Sequence, residues 1–234
     1  MAPVLLAVAH GSRDPAALTS TRALLRAVRA LRPELAVRCC FLDLARPSLD
    51  QALARLADRQ PVLVPLLLGT GYHIRVDIPA ALAGAGLPHA RLAPALGPHP
   101  LLADALADRL AGAGAPAHAP VVLAGAGSSD PTALADTTRM ARLLAARLGR
   151  AVTPAHLSAA TPTPRQAVAD LQAAGHPHVA LATYLLAPGF FARRAAATPA
   201  AWTSPPLGAH PAVARLVLRR YDEARTASAQ AAAA

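Results

Sequence analysis

The sequence contains no lysine, and all 23 of its basic residues are arginine. Set against 13 acidic residues they leave a formal net charge of +10. Such an excess admits nucleic acid or an acidic ligand as partner. Aromatic residues make up only 3% of the chain, the arginines form no basic tract, and no zinc-finger or RNA-binding motif occurs. That removes nucleic acid from consideration and leaves an acidic small molecule as the better match for scattered arginines. The uniform replacement of lysine by arginine reads as compositional bias rather than as a demand for a polyanion.

Cysteine is equally scarce. The two present, Cys39 and Cys40, are adjacent in an apparent strand, where neighbouring side chains point to opposite faces. They form neither an ordinary disulfide nor a metal-binding CxxC pair, and they fit a reducing compartment. Long hydrophobic runs are missing too. The longest, Val62 to Leu68, is interrupted by Pro65 and is far shorter than the roughly 20 residues of a membrane span. The apolar start, Val4 to Ala9, is too short for a secretory signal and has no basic residues before it. A soluble, cytoplasmic protein with no membrane partner is the expectation.

What the chain has in plenty is apolar residues, 54% of 234, enough for two cores in units of about 110 residues. It also has a repeat. PVLLAVAHGSRDPAAL (Pro3 to Leu18) returns as PVVLAGAGSSDPTAL (Pro120 to Leu134), and VPLLLGTGYHIR (Val64 to Arg75) returns as ATYLLAPGFFAR (Ala182 to Arg193). His99-Pro100 recurs as His210-Pro211. Repeats set the architecture before any local pattern does. Here they predict two tandem α/β domains, each a doubly wound parallel sheet, over residues 1–113 and 119–226, with an Ala-rich tail at 227–234.

Short apolar runs alternate with helical patterns in the βα order that a parallel sheet requires. Strands are predicted at Val4 to Ala9, Val37 to Leu42, Val62 to Leu68 and Ala90 to Ala95, and again at Val121 to Ala124, Ala151 to Leu157 and Val179 to Leu185. Helices are predicted from Asp14-Pro15 to about Leu31, over Pro47 to Ala57, from His73 towards Leu82, and over Leu101 to Leu110. In the second half they fall at Thr132 to Leu148, Thr163 to Ala173 and Ala212 to Ala224, with a frayed end from about Thr226. Ligands of such sheets bind at the carboxyl ends of the strands.

Three polar groups stand at those ends in the first half: His10, Asp43 and His73. Two imidazoles and a carboxylate suit a borderline divalent cation, and a site with so few ligands leaves open positions. The repeat singles out the histidines. His10 aligns with Ala126 and His73 with Phe191, so the second copy keeps the fold and loses both imidazoles. This predicts an active half and a scaffold half. Ser12 is expected to cap the local turn, and His99 and His210 to support helix starts. The turn AHGS has no G-x-S-x-G elbow to accompany it, which argues against an α/β-hydrolase, and HGSRDP is too poor in glycine to cradle phosphate.

The strings LLAVAHGSRDP, FLDLARPSL and VLVPLLLGTGYHIRVDIP resemble the class II sirohydrochlorin chelatases, in their long, internally duplicated form. The resemblance spans essentially the whole chain. It implies ATP-independent insertion of Co2+ or Fe2+ into sirohydrochlorin, in cobalamin or sirohaem biosynthesis. His10 and His73 would hold the incoming metal, and Asp43 would stand for the carboxylate of the family's FLE-type motif, one methylene shorter. The metal (Co2+, Fe2+ or Ni2+) is then a substrate and no permanent cofactor is expected. Arg13, Arg46 and Arg75 are candidates for the substrate's carboxylates, with Arg193 and Arg194 contributing from the second half. A monomer with a pseudo-dimeric arrangement follows. A non-catalytic metal or tetrapyrrole carrier using the same histidines is the alternative.

Overall fold

The computed structural model describes residues 3–231, with side chains to residue 226. The first half holds β1 (Val4–Ala9), α1 (Pro15–Leu31), β2 (Val37–Phe41), α2 (Leu49–Ala54), β3 (Pro61–Pro65), α3 (Ile78–Ala85), β4 (Arg91–Leu92) and α4 (Pro100–Gly112). The second holds β5 (Val121–Gly125), α5 (Pro131–Leu148), β6 (Val152–His156), α6 (Pro164–Ala173), β7 (Ala180–Tyr184), α7 (Phe190–Ala196), β8 (Trp202–Thr203) and α8 (Pro211–Ala231). The strand orders are β2-β1-β3-β4 and β6-β5-β7-β8, every pair parallel. The two tandem parallel-sheet units expected from the repeat are therefore present.

Local chemistry explains the shared helix starts. Asp14 caps α1 by accepting the Ala16 N–H at 3.0 Å, and Asp130 caps α5 by accepting the Thr132 N–H at 2.9 Å. A proline follows each cap, where its missing N–H costs nothing. Ser12 and Ser128 accept the N–H of their own aspartate, both at 3.0 Å, so Ser12 has the local role expected of it. His99 and His210 likewise cap α4 and α8 through Nδ1, which accepts the N–H of Leu101 and of Ala212, each at 3.1 Å.

Strand alternation divides the apolar residues between layers. Leu5, Ala7 and Ala9 of β1 face a central core that also takes Val121 and Leu123 of β5. Val4, Leu6 and Val8 face an outer cluster with Leu49 and Leu53 of α2 and Ile78 of α3. Val122 and Ala124 face the matching cluster over α6. The two sheets thus enclose one continuous core.

Each half's closing helix crosses that core. α8 packs on β3 and β4 of the first sheet, and α4 packs on β7 of the second. Two arginines at equivalent positions record the exchange. Arg109 of α4 donates to Leu207 O at 2.8 Å, and Arg220 of α8 donates to Ala95 O at 2.8 Å and Leu96 O at 3.3 Å.

Several details differ from the sequence expectation, among them β3, which ends at Pro65, and α2, which ends at Ala54. β4 is only Arg91–Leu92, because it is an edge strand held by two residue pairs with β3. The short elements α7 and β8 were not predicted: PGFFARRAAA has no long apolar period, and β8 has two residues. α8 continues through the Ala-rich stretch to Ala231, since alanine is the strongest helix former. Residues 232–234 of the expected tail lie outside the described residues.

Candidate metal site

His10 and His73 come together at the strand-order switch of the first sheet, where β1 and β3 are neighbours and their chains leave in opposite directions. His10 is the residue after β1 and is exposed. Gly11 follows with φ +99°, and a Cβ there would lie 1.7 Å from Asp43 O. Only glycine lets the His10 turn lie this close to the loop after β2. The Asp43 N–H completes the contact by donating to His10 O at 2.9 Å.

His73 arrives by a different route. The loop from Leu66 to Tyr72 ends in a single π-helical turn, His73–Asp77, which leads directly into α3. The Ile78 N–H donates to His73 O, five residues back, and Pro79 next in line has no N–H for an α-type bond. His73 Nδ1 lies 2.6 Å from Asp77 Oδ2. A carboxylate can only accept here, so Nδ1 carries a proton, and in the neutral ring Nε2 is the nitrogen whose lone pair is open to a metal. The two imidazoles meet nearly edge to face, with centroids 4.8 Å apart and planes at 84°.

The Asp43 carboxylate does not join them, which corrects the expectation of a three-group convergence. It turns back to accept the N–H of Leu44 at 2.7 Å, a bond favoured by the left-handed Leu44 (φ 57°), and Asp43 is exposed. Among the described residues, no three His, Cys, Asp or Glu side chains cluster as metal ligands. A two-imidazole site leaves most of a cation's coordination sphere free for another molecule.

That molecule has room. The imidazoles border a cleft between the halves formed by two adjoining cavities of about 500 and 340 Å³. Both cavities are lined by His10, Leu66, Leu185, Leu186 and Phe191. Ala126 and Phe191, the counterparts of the two histidines, supply apolar surface in the first. A larger groove of about 610 Å³ between α1 and α8 lies away from both histidines.

The predicted arginines divide. Arg75 is paired with Asp130, and its counterpart Arg193 with Asp14 at 2.7 Å, so the halves exchange ion pairs across the cleft. The Arg193 bond, with help from the Ala16 N–H, holds the Asp14 carboxyl below its usual range. Arg13 and Arg46 are exposed, adjoining the His10 turn and the Asp43 loop in sequence, and border neither cavity. Arg194 stacks over Phe190 at 5.8 Å. The cysteines are ordinary packing residues: burial pushes the Cys39 thiol up to about 11 and Cys40 higher still. Sequence reading missed Asp77, although its spacing of four from His73 was a legible signal, and it missed the cross-half residues Asp136 and Tyr184, which carry none.

Two parallel-sheet units with a histidine pair at one switch point, facing a wide apolar cleft, define a metal-handling protein of the chelatase type. The family model CbiX matches residues 4–113 and again 120–224, and the chain belongs to the CbiX family. The resemblance to sirohydrochlorin chelatases is thereby borne out. The chain is 28% identical over 240 residues to the sirohydrochlorin ferrochelatase of Bacillus subtilis, covering 95% of this chain and 92% of that one. Its fold matches SirB from Bacillus subtilis with Fe3+ at a TM-score of 0.82, with 28% identity and 98% of each chain covered. It also matches the sirohydrochlorin chelatase SirB from Bacillus subtilis subspecies spizizenii in complex with cobalt, at a TM-score of 0.75, 26% identity and 98% coverage of both. No helix among the described residues is long and apolar enough to cross a membrane.

Proposed function

We propose that this chain inserts a divalent metal, Co2+ or Fe2+, into sirohydrochlorin without ATP, serving cobalamin or sirohaem biosynthesis. The observation that carries the reading is the His10–His73 pair, 4.8 Å apart and open to the cleft between the halves. The relatives' names and their iron- and cobalt-bound structures support it. In this reading residues 1–113 bear the metal site and residues 119–226 form the opposite wall, within a cytoplasmic monomer. The partner is the tetrapyrrole, and neither nucleic acid nor a membrane takes part.

The metal enters as a substrate, on His73 Nε2 and a ring nitrogen of His10, with its remaining positions left to water and then to pyrrole nitrogens. The flat macrocycle lies against Leu66, Leu185, Leu186 and Phe191, and this apolar contact removes water from the metal's open side. Insertion releases two pyrrole N–H protons, which imidazole freed by the departing metal is suited to accept. Asp43 holds the His10 turn by its main chain and offers its exposed carboxylate to the protons leaving the cleft. Ring carboxylates extend outward to Arg13 and Arg46, while Arg75 is engaged by Asp130 across the cleft.

Absorbance-monitored turnover with sirohydrochlorin and cobalt, then iron, without ATP, tests the reading. The expected outcome is multiple turnover that is lost in His10→Ala and in His73→Ala. Stoichiometric binding without turnover would replace the chelatase by a carrier.

A further inference from the structure

Two sets of cross-half contacts follow the internal two-fold relation. Arg75–Asp130 mirrors Arg193–Asp14, and Arg109–Leu207 mirrors Arg220–Leu96. Others have no counterpart, such as Arg32–Asp222 and Arg147–Asp104 at the helix surfaces, and one such group lies beside the histidines. Asp136 of α5, only 1% exposed, accepts both the backbone N–H of Thr70 at 2.8 Å and its hydroxyl at 2.6 Å, and also pairs with Arg139. Two residues earlier in the same loop, Leu68 O accepts the hydroxyl of buried Tyr184, at the end of β7, at 2.8 Å. The equivalents of Asp136, Thr70 and Tyr184 in the repeat are Ser20, Pro188 and Leu66, which cannot make these bonds. Gly97 shows the same asymmetry: a Cβ there would lie 2.1 Å from Tyr184 Oη and 2.6 Å from Leu68 O, whereas one at its counterpart Gly208 would approach nothing closer than 3.5 Å.

We propose that Asp136 and Tyr184 of the second half are positioning residues for His73, fixing the Leu68-Gly69-Thr70 segment that leads through Gly71 and Tyr72 into its π turn. The half that lacks both imidazoles thus supplies the cradle for one of the two in the other half. Burying a carboxylate is costly unless its hydrogen bonds are met, and Thr70 and Arg139 meet them here. Here burial raises the Asp136 carboxyl, but the Thr70 bonds and Arg139 outweigh it and hold the group ionised. A charged acceptor fixes the loop more stiffly than a neutral one, and the glycines on either side of Thr70 provide no stiffness of their own. The consequence is a His73 imidazole held ready for the metal rather than ordered by it.

The proposal rests on the reading of His73 as a metal ligand, and a test that uses cobalt alone separates the two. Cobalt is titrated into the full chain without tetrapyrrole, following the visible d–d bands of bound Co2+, alongside a thermal melt. Asp136→Asn is expected to weaken cobalt affinity about tenfold and to alter the band pattern, as loss of groups behind a ligand does. Thr70→Val and Tyr184→Phe are expected to weaken it about threefold, and they decide the matter if Asp136→Asn does not fold. Ser20→Ala, at the mirror position, is expected to bind as wild type. Folded variants that melt earlier yet bind cobalt within twofold of wild type would overturn the positioning role and leave a structural one, as would equal weakening in Ser20→Ala. Wild-type cobalt binding that survives His73→Ala would overturn the metal-ligand reading itself.

Discussion

Asp77 accepts the Nδ1 proton of His73 across 2.6 Å, four residues along the same helical turn. The contact fixes the tautomer and the orientation of the ring together, and a carboxylate behind an imidazole raises its strength as a ligand. Asp77→Asn keeps the shape and an acceptor oxygen but removes the charge. Cobalt affinity is expected to fall about tenfold, measured by titration of the purified chain. An unchanged affinity would show that the carboxylate charge adds nothing.

The reciprocal ion pairs across the cleft are expected to contribute little energy. Arg75 is 53% exposed, and exposed pairs typically contribute about 0.2–1 kcal/mol. A double-mutant cycle of Arg75→Gln and Asp130→Asn, read by urea denaturation, should give a coupling energy in that range and vanish at high salt. Asparagine is chosen because it still caps α5. A coupling of several kcal/mol would mean that water is excluded from this pair far more than its exposure indicates.

His156 is buried at the end of β6 with no partner for its Nδ1, in the place that half-buried Phe41 occupies in the first half. Burial of an unpaired polar atom costs about 1–3 kcal/mol. His156→Phe borrows the repeat's own solution and is expected to stabilise the chain by about 1 kcal/mol after some repacking cost. Denaturation at pH 7.5 checks the sign.

Acid is expected to loosen the exchanged helices. His99 and His210 cap α4 and α8 through unprotonated Nδ1. Burial, followed by Arg220 and Arg219 around His99 and by Arg109 around His210, lowers both from the ordinary 6.5, although Glu223 and Asp108 pull the other way. A depressed folded value means that the stabilisation is fully present above pH 6.5 and is lost as pH falls towards and through the lowered values. Asparagine places an acceptor where Nδ1 sits and does not titrate. The His99→Asn/His210→Asn double variant should therefore lose less stability than wild type between pH 7 and pH 5, with His156 accounting for part of what remains.

Much of this was legible in the sequence for a physical reason: the features concerned are local. Asp14-Pro15 and Asp130-Pro131 start helices through bonds spanning two residues, and apolar runs such as Val4 to Ala9 are buried on both faces. The histidine pair was legible because a repeat provides its own comparison. The Asp43 carboxylate was misplaced because its neighbour, Leu44, takes a left-handed conformation that nothing in FLDLARPS announces. β8, with two residues paired to Ala180 and Leu181, exists only because β7 is there to receive it.

The sequence by itself determined two parallel-sheet units, their helix caps, and the half that keeps its imidazoles, because turn chemistry and strand alternation act over a few residues. Only the tertiary structure decided that α4 and α8 trade sheets, that Arg75 faces Asp130, and that Asp136 reaches Thr70 from 66 positions away. Such pairings depend on how two sheets dock across a shared apolar core. Burial drives that docking without regard to direction, and the few polar groups able to meet across it then fix one arrangement.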